Sequence, residues 1–532
     1  MSFGGRMLAA SSEREQTAYI PLGTAQPREI LIGEGSARKP TPKARSRQRL
    51  CLLCGGVFLF LAILSLFSDR AKPVTGPLQE FAVGTWDRFA TGTSWLAGRP
   101  PEKGPFQGAG SIRPLASSMV HLIKSSSAQA TERLSWQVLW ARPDIPNRLL
   151  YSDADMRLGS HDVYDALANF TSSSTFNASD EFQEYQSIHK HLANGEPVRK
   201  PSTGSKARQL DKWKLLPMLA HAWKTYPDLN WYVVSEDDTY MFWSTLLRWL
   251  PPDSSQLSFY GHNEKGGDGT FHFANVGAGL VLSRRIMKQT FGKDELFQTK
   301  WDSIIKKWSC GDCALADVLY HQPLMEQLRV LGGQELFLTE PIRRVIFSNK
   351  TLYAPVLSLH QNQPFDLQAL RVFEEQVLPT LDEDDGVRYC DLLEHFAPAS
   401  VAMNVQMHLK SLEEGKSLIT SGLDTDIIKK DWYALETHNK VCGPDCAQSR
   451  HVPYDATFCS NLCEEDVLCL AWALTPKYCA ISLGAFRLGA PTVNVTSGWK
   501  AGRIASLLHD KPCKDKKRRK AEPIAAPWGS LS

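Results

Sequence analysis

The stretch WYVVSEDDTYMF, residues 231–242, decides how the rest of the chain is read. Its apolar run, Trp231 to Val234, is too short for a helix and predicts a buried strand. Three acids follow at once: Glu236, Asp237 and Asp238. Carboxylates at the end of a buried strand are costly unless they are paired or bind a cation. A hard divalent ion takes oxygen ligands and also neutralises a diphosphate, so it offsets that cost and suggests a use for it. A short acidic run also reads as a solvated turn. The flanking sequence has to decide between the two.

Upstream, MVHLIK (119–124) predicts a strand, Ser125 to Ser127 a turn, and Ala128 to Trp140 a helix with Leu134 and Val138 on one face. RLLYS (148–152) is the next strand, ending in Asp153 and Asp155. Strand, helix and strand with polar turns open an α/β sheet, in which ligands sit beyond the carboxyl ends of the strands. Between Gln209 and Tyr226, Leu210, Trp213, Leu216, Leu219, Ala220 and Trp223 keep helical spacing, and Pro217 is expected to kink that helix. Downstream, Gly277 and Gly279 in NVGAG (275–279) allow close backbone approach to a ligand, or form a plain turn before a strand. Asp312, in CGDC (310–313), precedes an apolar helix, where a carboxylate either caps it or serves as a general base. His360 ends the apolar run VLSLH, where an imidazole could complete a metal site.

The segments VHLIKSSS with Glu132-Arg133-Leu134, LLYSDAD, DKWKLLPML, WYVVSEDDTYMF, FANVGAGLVLS, GDCALADVL and LSLH occur in this order between residues 116 and 380. Together they resemble the fringe-like and core-one galactosyltransferase-like enzymes of glycosyltransferase family 31, the fungal members most closely. The resemblance implies an α/β fold with a Rossmann-like GT-A domain, a UDP-sugar donor, Mn²⁺ and inversion at the anomeric carbon. It implies that Lys124, Ser125 and Arg133 lie near the donor, that Asp153 contacts the uridine end, and that Lys212 approaches the donor too. Glu236 and Asp237 would lie by the ribose and metal, Asp238 and His360 would be the metal ligands, and Asp312 the base. Gly277 and Gly279 would border the donor sugar and acceptor. The chain departs from the family pattern at Glu236, usually Asp, and at Val276, usually Gly.

At 532 residues the chain is too long for one compact core and predicts several domains. Sixty basic against 57 acidic residues, net +3, give no case for nucleic acid as a partner. Arg38, Lys39, Lys43, Arg45, Arg47 and Arg49 precede LCLLCGGVFLFLAILSLF (50–67), an uncharged run that would reach roughly 27 Å as a helix. That predicts a single transmembrane signal-anchor in the lipid bilayer, with residues 1–49 a disordered cytoplasmic tail and everything beyond 68 luminal. Residues 68–115, rich in Gly, Pro, Ser and Thr, read as a stem. Sequons at Asn169, Asn177, Asn349 and Asn494, and ten of the twelve cysteines, fall on the luminal side.

Residues 381–500 are expected to form a small disulfide-rich module, followed by a basic tail, 501–532. Cys442, Cys446, Cys459, Cys463, Cys469 and Cys479 allow fifteen pairings, and zinc is the competing reading of their spacing. The stretch CSNLCEEDVLCLAWALTPKYCAISLGAFRLG resembles a PAN or apple-like module, which implies a protein- or carbohydrate-binding role. The expectation is a type II Golgi membrane glycosyltransferase acting on a glycan or glycoprotein acceptor. The alternative is a non-catalytic type II membrane glycan-binding receptor.

Overall fold

The computed structural model describes residues 112–510, apart from 140, 143–144, 199–208, 252–253, 267–270, 293–296, 322–329, 383–384, 415–425 and 436–437, together with Cys513, Asp515 and Arg519. The described residues all belong to one unit, 101–532. Strands β1 (Met119–Lys124), β2 (Asn147–Ser152), β3 (Met156–Leu158), β4 (His161–Asp165), β5 (Trp231–Glu236), β6 (Tyr240–Met241), β7 (Phe259–Lys265), β8 (His272–Ser283) and β9 (Val330–Gly332) lead the fold. All but β6 form one mixed sheet in the order β3-β4-β2-β1-β5-β8-β7-β9. The strands β4, β2, β1 and β5 run parallel, and the long β8 runs antiparallel to both β5 and β7.

Side chains alternate across β5, as the period of a strand requires. Tyr232 and Val234 enter a cluster with Trp213, Leu216 and Leu219. Trp231 and Val233 face Met241, Trp243, Leu246 and Trp249 on the other side. The sheet is therefore covered on both faces, which is why β1 and β5 are near-continuous apolar runs.

A smaller sheet contributes to the site. Of β10 (Phe337–Leu338), β11 (Ile346–Ser348) and β12 (Ser358–Leu359), β12 pairs with β10 and, antiparallel, with β6. Leu359 lies opposite Tyr240, so the residue after β12 meets the residues before β6. Beyond it come β13 (Asp426–Tyr433), β14 (Lys440–Cys442), β15 (Cys469–Leu474), β16 (Cys479–Leu483), β17 (Ala485–Arg487) and β18 (Ala490–Lys500). Five of these form an antiparallel sheet, β13-β18-β15-β16-β14, while β17 pairs with β11.

Three differences from the sequence reading have physical causes. The expected fold class included a membrane-spanning helix, and this is corrected: the described chain is mixed α/β, and no helix among the described residues is long and apolar enough to cross a membrane. The longest, Ala399–Glu413, has 15 residues, so at 1.5 Å per residue it reaches roughly 22 Å, short of a hydrocarbon core of about 30 Å. The run 50–67, the tail 1–49 and most of the stem 68–115 lie outside the described residues. Second, Pro217 makes no break: it sits in the first turn of the helix Leu215–Thr225, where its missing N–H has no intrahelical partner to lose. Third, the first helix is not uniformly α, because Ala130–Leu134 form a π-turn.

The expected boundary near residue 381 is crossed by one apolar cluster, running from Phe347 and Val387 to Phe486, Trp499 and Ile504. The helix Ala501–Asp510 buries Ile504, Ala505 and Leu508 in that cluster, so the start of the expected basic tail is part of the core. Cys442–Cys446, Cys459–Cys479 and Cys463–Cys469 are bridged within the C-terminal sheet region, and Cys390–Cys513 and Cys310–Cys313 account for the rest among the described residues. The six clustered thiols thus pair with one another and leave no set free for zinc. The four sequon asparagines are all exposed.

Candidate metal and transfer site

Parallel pairing of β1 and β5 sets Lys124 opposite Glu236, so both strands deliver their last residues to one place. Lys124 Nζ lies 2.9 Å from Glu236 Oε1 and is also paired with Asp211. These acids hold the buried ammonium in its charged form: burial favours its loss, but Asp211 and Glu236 outweigh that and raise its pKa. After Glu236 the chain turns. Thr239 secures the turn, its hydroxyl donating to Gly277 O at 2.6 Å and accepting from Glu236 N at 3.2 Å.

Short pairing of β6 with β12 then brings His360 to the acids from 124 positions along the chain. His360 Nε2 is 3.1 Å from Asp238 Oδ1 and 3.3 Å from Glu236 Oε2. Asn362 fixes the same turn from the far side, its backbone N–H donating to Asp238 O at 3.0 Å. One ligand atom from each of Glu236, Asp238 and His360 falls within 4.8 Å of the other two. Asp238 Oδ1 and His360 Nδ1 are buried without an aligned hydrogen-bond partner. Two carboxylates and an imidazole suit Mn²⁺ or a similar divalent ion, and a buried carboxylate oxygen with no well-aligned donor is what such a cation would satisfy. Without it the imidazole serves as counter-charge: burial opposes its protonation, but Asp238 and Glu236 raise its pKa to about 10.

Gly277 makes this arrangement possible. A Cβ there would stand 2.6 Å from His360 Nδ1 and 2.7 Å from Nε2, inside van der Waals contact. Gly279 carries φ +91°, a conformation that side chains rarely adopt, and packs on Met241. The glycines of β8 therefore seat the imidazole and bend the strand.

The remaining acids and cations close around the cluster. Ser125 Oγ donates to Asp237 Oδ2 at 2.6 Å. Arg133 Nη1 is 2.8 Å from Asp238 Oδ2 and 3.7 Å from Asp237 Oδ1. Burial and the charge of Asp238 push Asp237 up to about 7. Arg133 lies in the π-turn, and Gln137, four residues on, donates to Asp237 O at 3.0 Å and Thr239 O at 2.8 Å.

Asp312 opens the helix Gly311–Tyr320, yet does not cap it. Its Oδ2 instead accepts from Val276 N at 2.9 Å, which ties it to β8 beside Gly277. Its surroundings push its pKa up to about 6; burial is the main cause, and Lys124 opposes it. A carboxylate in that range suits general-base work near neutral pH.

Of the two lysines of the DKWK segment, Lys214 and not the expected Lys212 reaches the strand ends. Lys212 pairs with Glu181 at 2.8 Å, away from the acids. Lys214, 1% exposed, lies 3.0 Å from Asp153 Oδ2 and 3.3 Å from Asp211 Oδ1, and donates to Ser125 O at 2.8 Å. Asp153 also accepts from Ser127 N at 2.8 Å. Burial would raise the pKa of Asp153, but Lys214 and Ser127 more than offset it and leave it lowered. Sequence reasoning missed Lys214, Asp211, Gln137 and Asn362. The signal for the first two was present in the same DKWK segment. No model of a known protein family matches the chain, and no curated protein is significantly similar to it in sequence.

Proposed function

We propose that this chain is an inverting, metal-dependent glycosyltransferase that moves a hexose or N-acetylhexosamine from a UDP-sugar to a hydroxyl of a glycan or glycoprotein. The carrying observation is the convergence of Glu236, Asp238 and His360 at the carboxyl end of β5, with Asp312 tied to β8 beside them. Asp238 and His360, with Glu236, would hold a divalent ion, Mn²⁺ being the expected one. An ion held there would supply positive charge for the departing diphosphate.

The protein's own side chains do the rest. Asp312 takes the proton of the acceptor hydroxyl as that oxygen bonds to the anomeric carbon and the bond to the diphosphate breaks. Lys124 and Arg133 set positive charge beside the acidic cluster, and Ser125 and Asp153 stand at the same strand ends, where the nucleotide is expected. Holding donor and acceptor in line lowers the barrier further. Asp312 held beside the cation site favours catalysis over the alternative of a non-catalytic glycan receptor.

The same reading assigns the enzyme to the lumen of the secretory pathway, with the Golgi as the expected compartment. It is supported by five cystine bridges and four exposed sequons. The test is UDP release by the purified chain from a panel of UDP-sugars, with Mn²⁺ or EDTA, beside Asp238→Ala. Metal-dependent hydrolysis of one donor, lost in the variant, supports the proposal and identifies the sugar. Absence of both hydrolysis and Mn²⁺-dependent UDP binding refutes it.

A further inference from the structure

A second concentration of charge lies outside the acidic site. A small cavity is lined by His121, Gln137, Arg142, Arg148, Tyr240 and Arg371, among others. It has room for about two waters or one small ion. Arg142 Nη1 lies 3.4 Å from Glu374 Oε1, and Arg371 Nη2 lies 2.8 Å from Glu375 Oε1. Glu374 is already well supplied, accepting from Tyr240 Oη at 2.7 Å and Ser244 Oγ at 2.6 Å.

Donors remain over. Arg371 is 7% exposed, and its Nη1 is buried with no hydrogen-bond partner, as is Nε of Arg148. Among the described residues Arg142 and Arg371 pair with Glu374 and Glu375, while Arg148 has no carboxylate partner and leaves its positive charge in surplus. Arginine does not shed its proton to relieve that surplus. A buried cation with unsatisfied N–H groups calls for an acceptor carrying negative charge.

We propose that this cavity binds a small inorganic anion, chloride or a compact oxyanion such as phosphate, between Arg148 and Arg371. The site borders the catalytic turn, because Gln137 lines the cavity and also donates to Asp237 O and Thr239 O. The anion thereby braces, through one side chain, the turn that carries the acids.

The test is thermal unfolding of the full chain in sodium chloride, sodium phosphate and sodium gluconate at matched ionic strength, gluconate being too large for the cavity. A saturable rise of about 2 °C at tenfold excess over Kd is expected in chloride or phosphate and none in gluconate. Whichever salt gives it identifies the anion. Arg371→Gln and Arg148→Gln change packing by themselves, so the quantity read in each variant is the anion-dependent increment, which both should lose. Bromide soaked into crystals should give an anomalous peak between the two arginines if the site takes a halide. Equal melting in all three salts, or an increment that survives in both variants, overturns the proposal.

Discussion

Gly277→Ala is the most exacting test of how the site is built. The added Cβ would stand 2.6 Å from His360 Nδ1 and 2.7 Å from Nε2, so the ring must retreat by roughly 1 Å to restore van der Waals contact. His360 Nε2 now lies 3.1 Å from Asp238 and 3.3 Å from Glu236, and such a retreat carries it out of hydrogen-bond reach of both. Disturbing the support of a metal ligand weakens affinity by about 10–100-fold, and displacing the ligand should do no less. Overpacking adds a stability cost of about 1–3 kcal/mol. Calorimetric titration of Mn²⁺ into the purified chain, with thermal melts of the same samples, reads both effects. The decisive arm is the double variant with His360→Ala, which removes the ring the methyl strikes. There the stability cost of Gly277→Ala should nearly vanish, a coupling that two independent sites do not show. Unchanged Mn²⁺ affinity, or the same stability cost in both backgrounds, would refute the reasoning.

Substitutions at three other positions test the structure. Asp312→Asn should slow transfer by about 10²–10⁴-fold while leaving Mn²⁺-dependent UDP binding intact. Wild-type activity should fall as pH drops through about 6, where Asp312 takes up its proton, and the variant should lack that limb in a pH–rate profile. Because a raised carboxyl pKa makes the ionised form a burden on the native state above that pH, Asp312→Asn should melt no lower than wild type at pH 7.5. Lys214→Met removes the fully buried cation that bridges Asp153 and Asp211, leaving Asp153 without its ion pair, and should cost about 3–5 kcal/mol in a denaturant titration. Arg519→Ala should cost about 3 kcal/mol, since that guanidinium is buried against Asp385 and Asp391; Arg519→Lys should restore little, lacking the planar fork.

Local chemistry was legible in the sequence where neighbours in the chain carry it. The runs 119–124, 148–152 and 231–236 are strands because apolar content on both faces admits little else. The acidic turn after β5 and the glycines of β8 follow from the same kind of pattern. What joins them is not local. His360 reaches Asp238 through a pairing of two-residue strands, too short to leave a periodic signature. The lysine that enters the site is Lys214 and not Lys212, because the turn Asp211–Trp213 rotates the two apart in a way composition does not reveal. The π-turn at Ala130–Leu134 is equally silent, though its widened turn carries Arg133, and Gln137 lies one turn on. The Cys-rich segment suggested a separate module because its thiols cluster; Phe458, Leu462, Trp472 and Ile481 do pack with them, while Leu470, Ala471 and Ala473 share a core with Phe347 and Val387.

The bridge between Cys390 and Cys513 sets an order of events for a growing chain. It spans 123 positions and encloses the three bridges of the C-terminal sheet. Domains usually fold as they leave the ribosome, amino-terminal part first. Here the acidic turn and its histidine are synthesised well over a hundred residues before Cys513, yet Phe347, Val387 and Tyr389 wait for Phe486, Trp499 and Ile504 to cover them. Until those arrive, the half-made protein presents an apolar face and an unpaired Cys390 thiol. It is in that interval that helpers of folding and oxidation have the most to do for this chain, and a stop codon after residue 500 would leave the earlier half complete in sequence but unable to close.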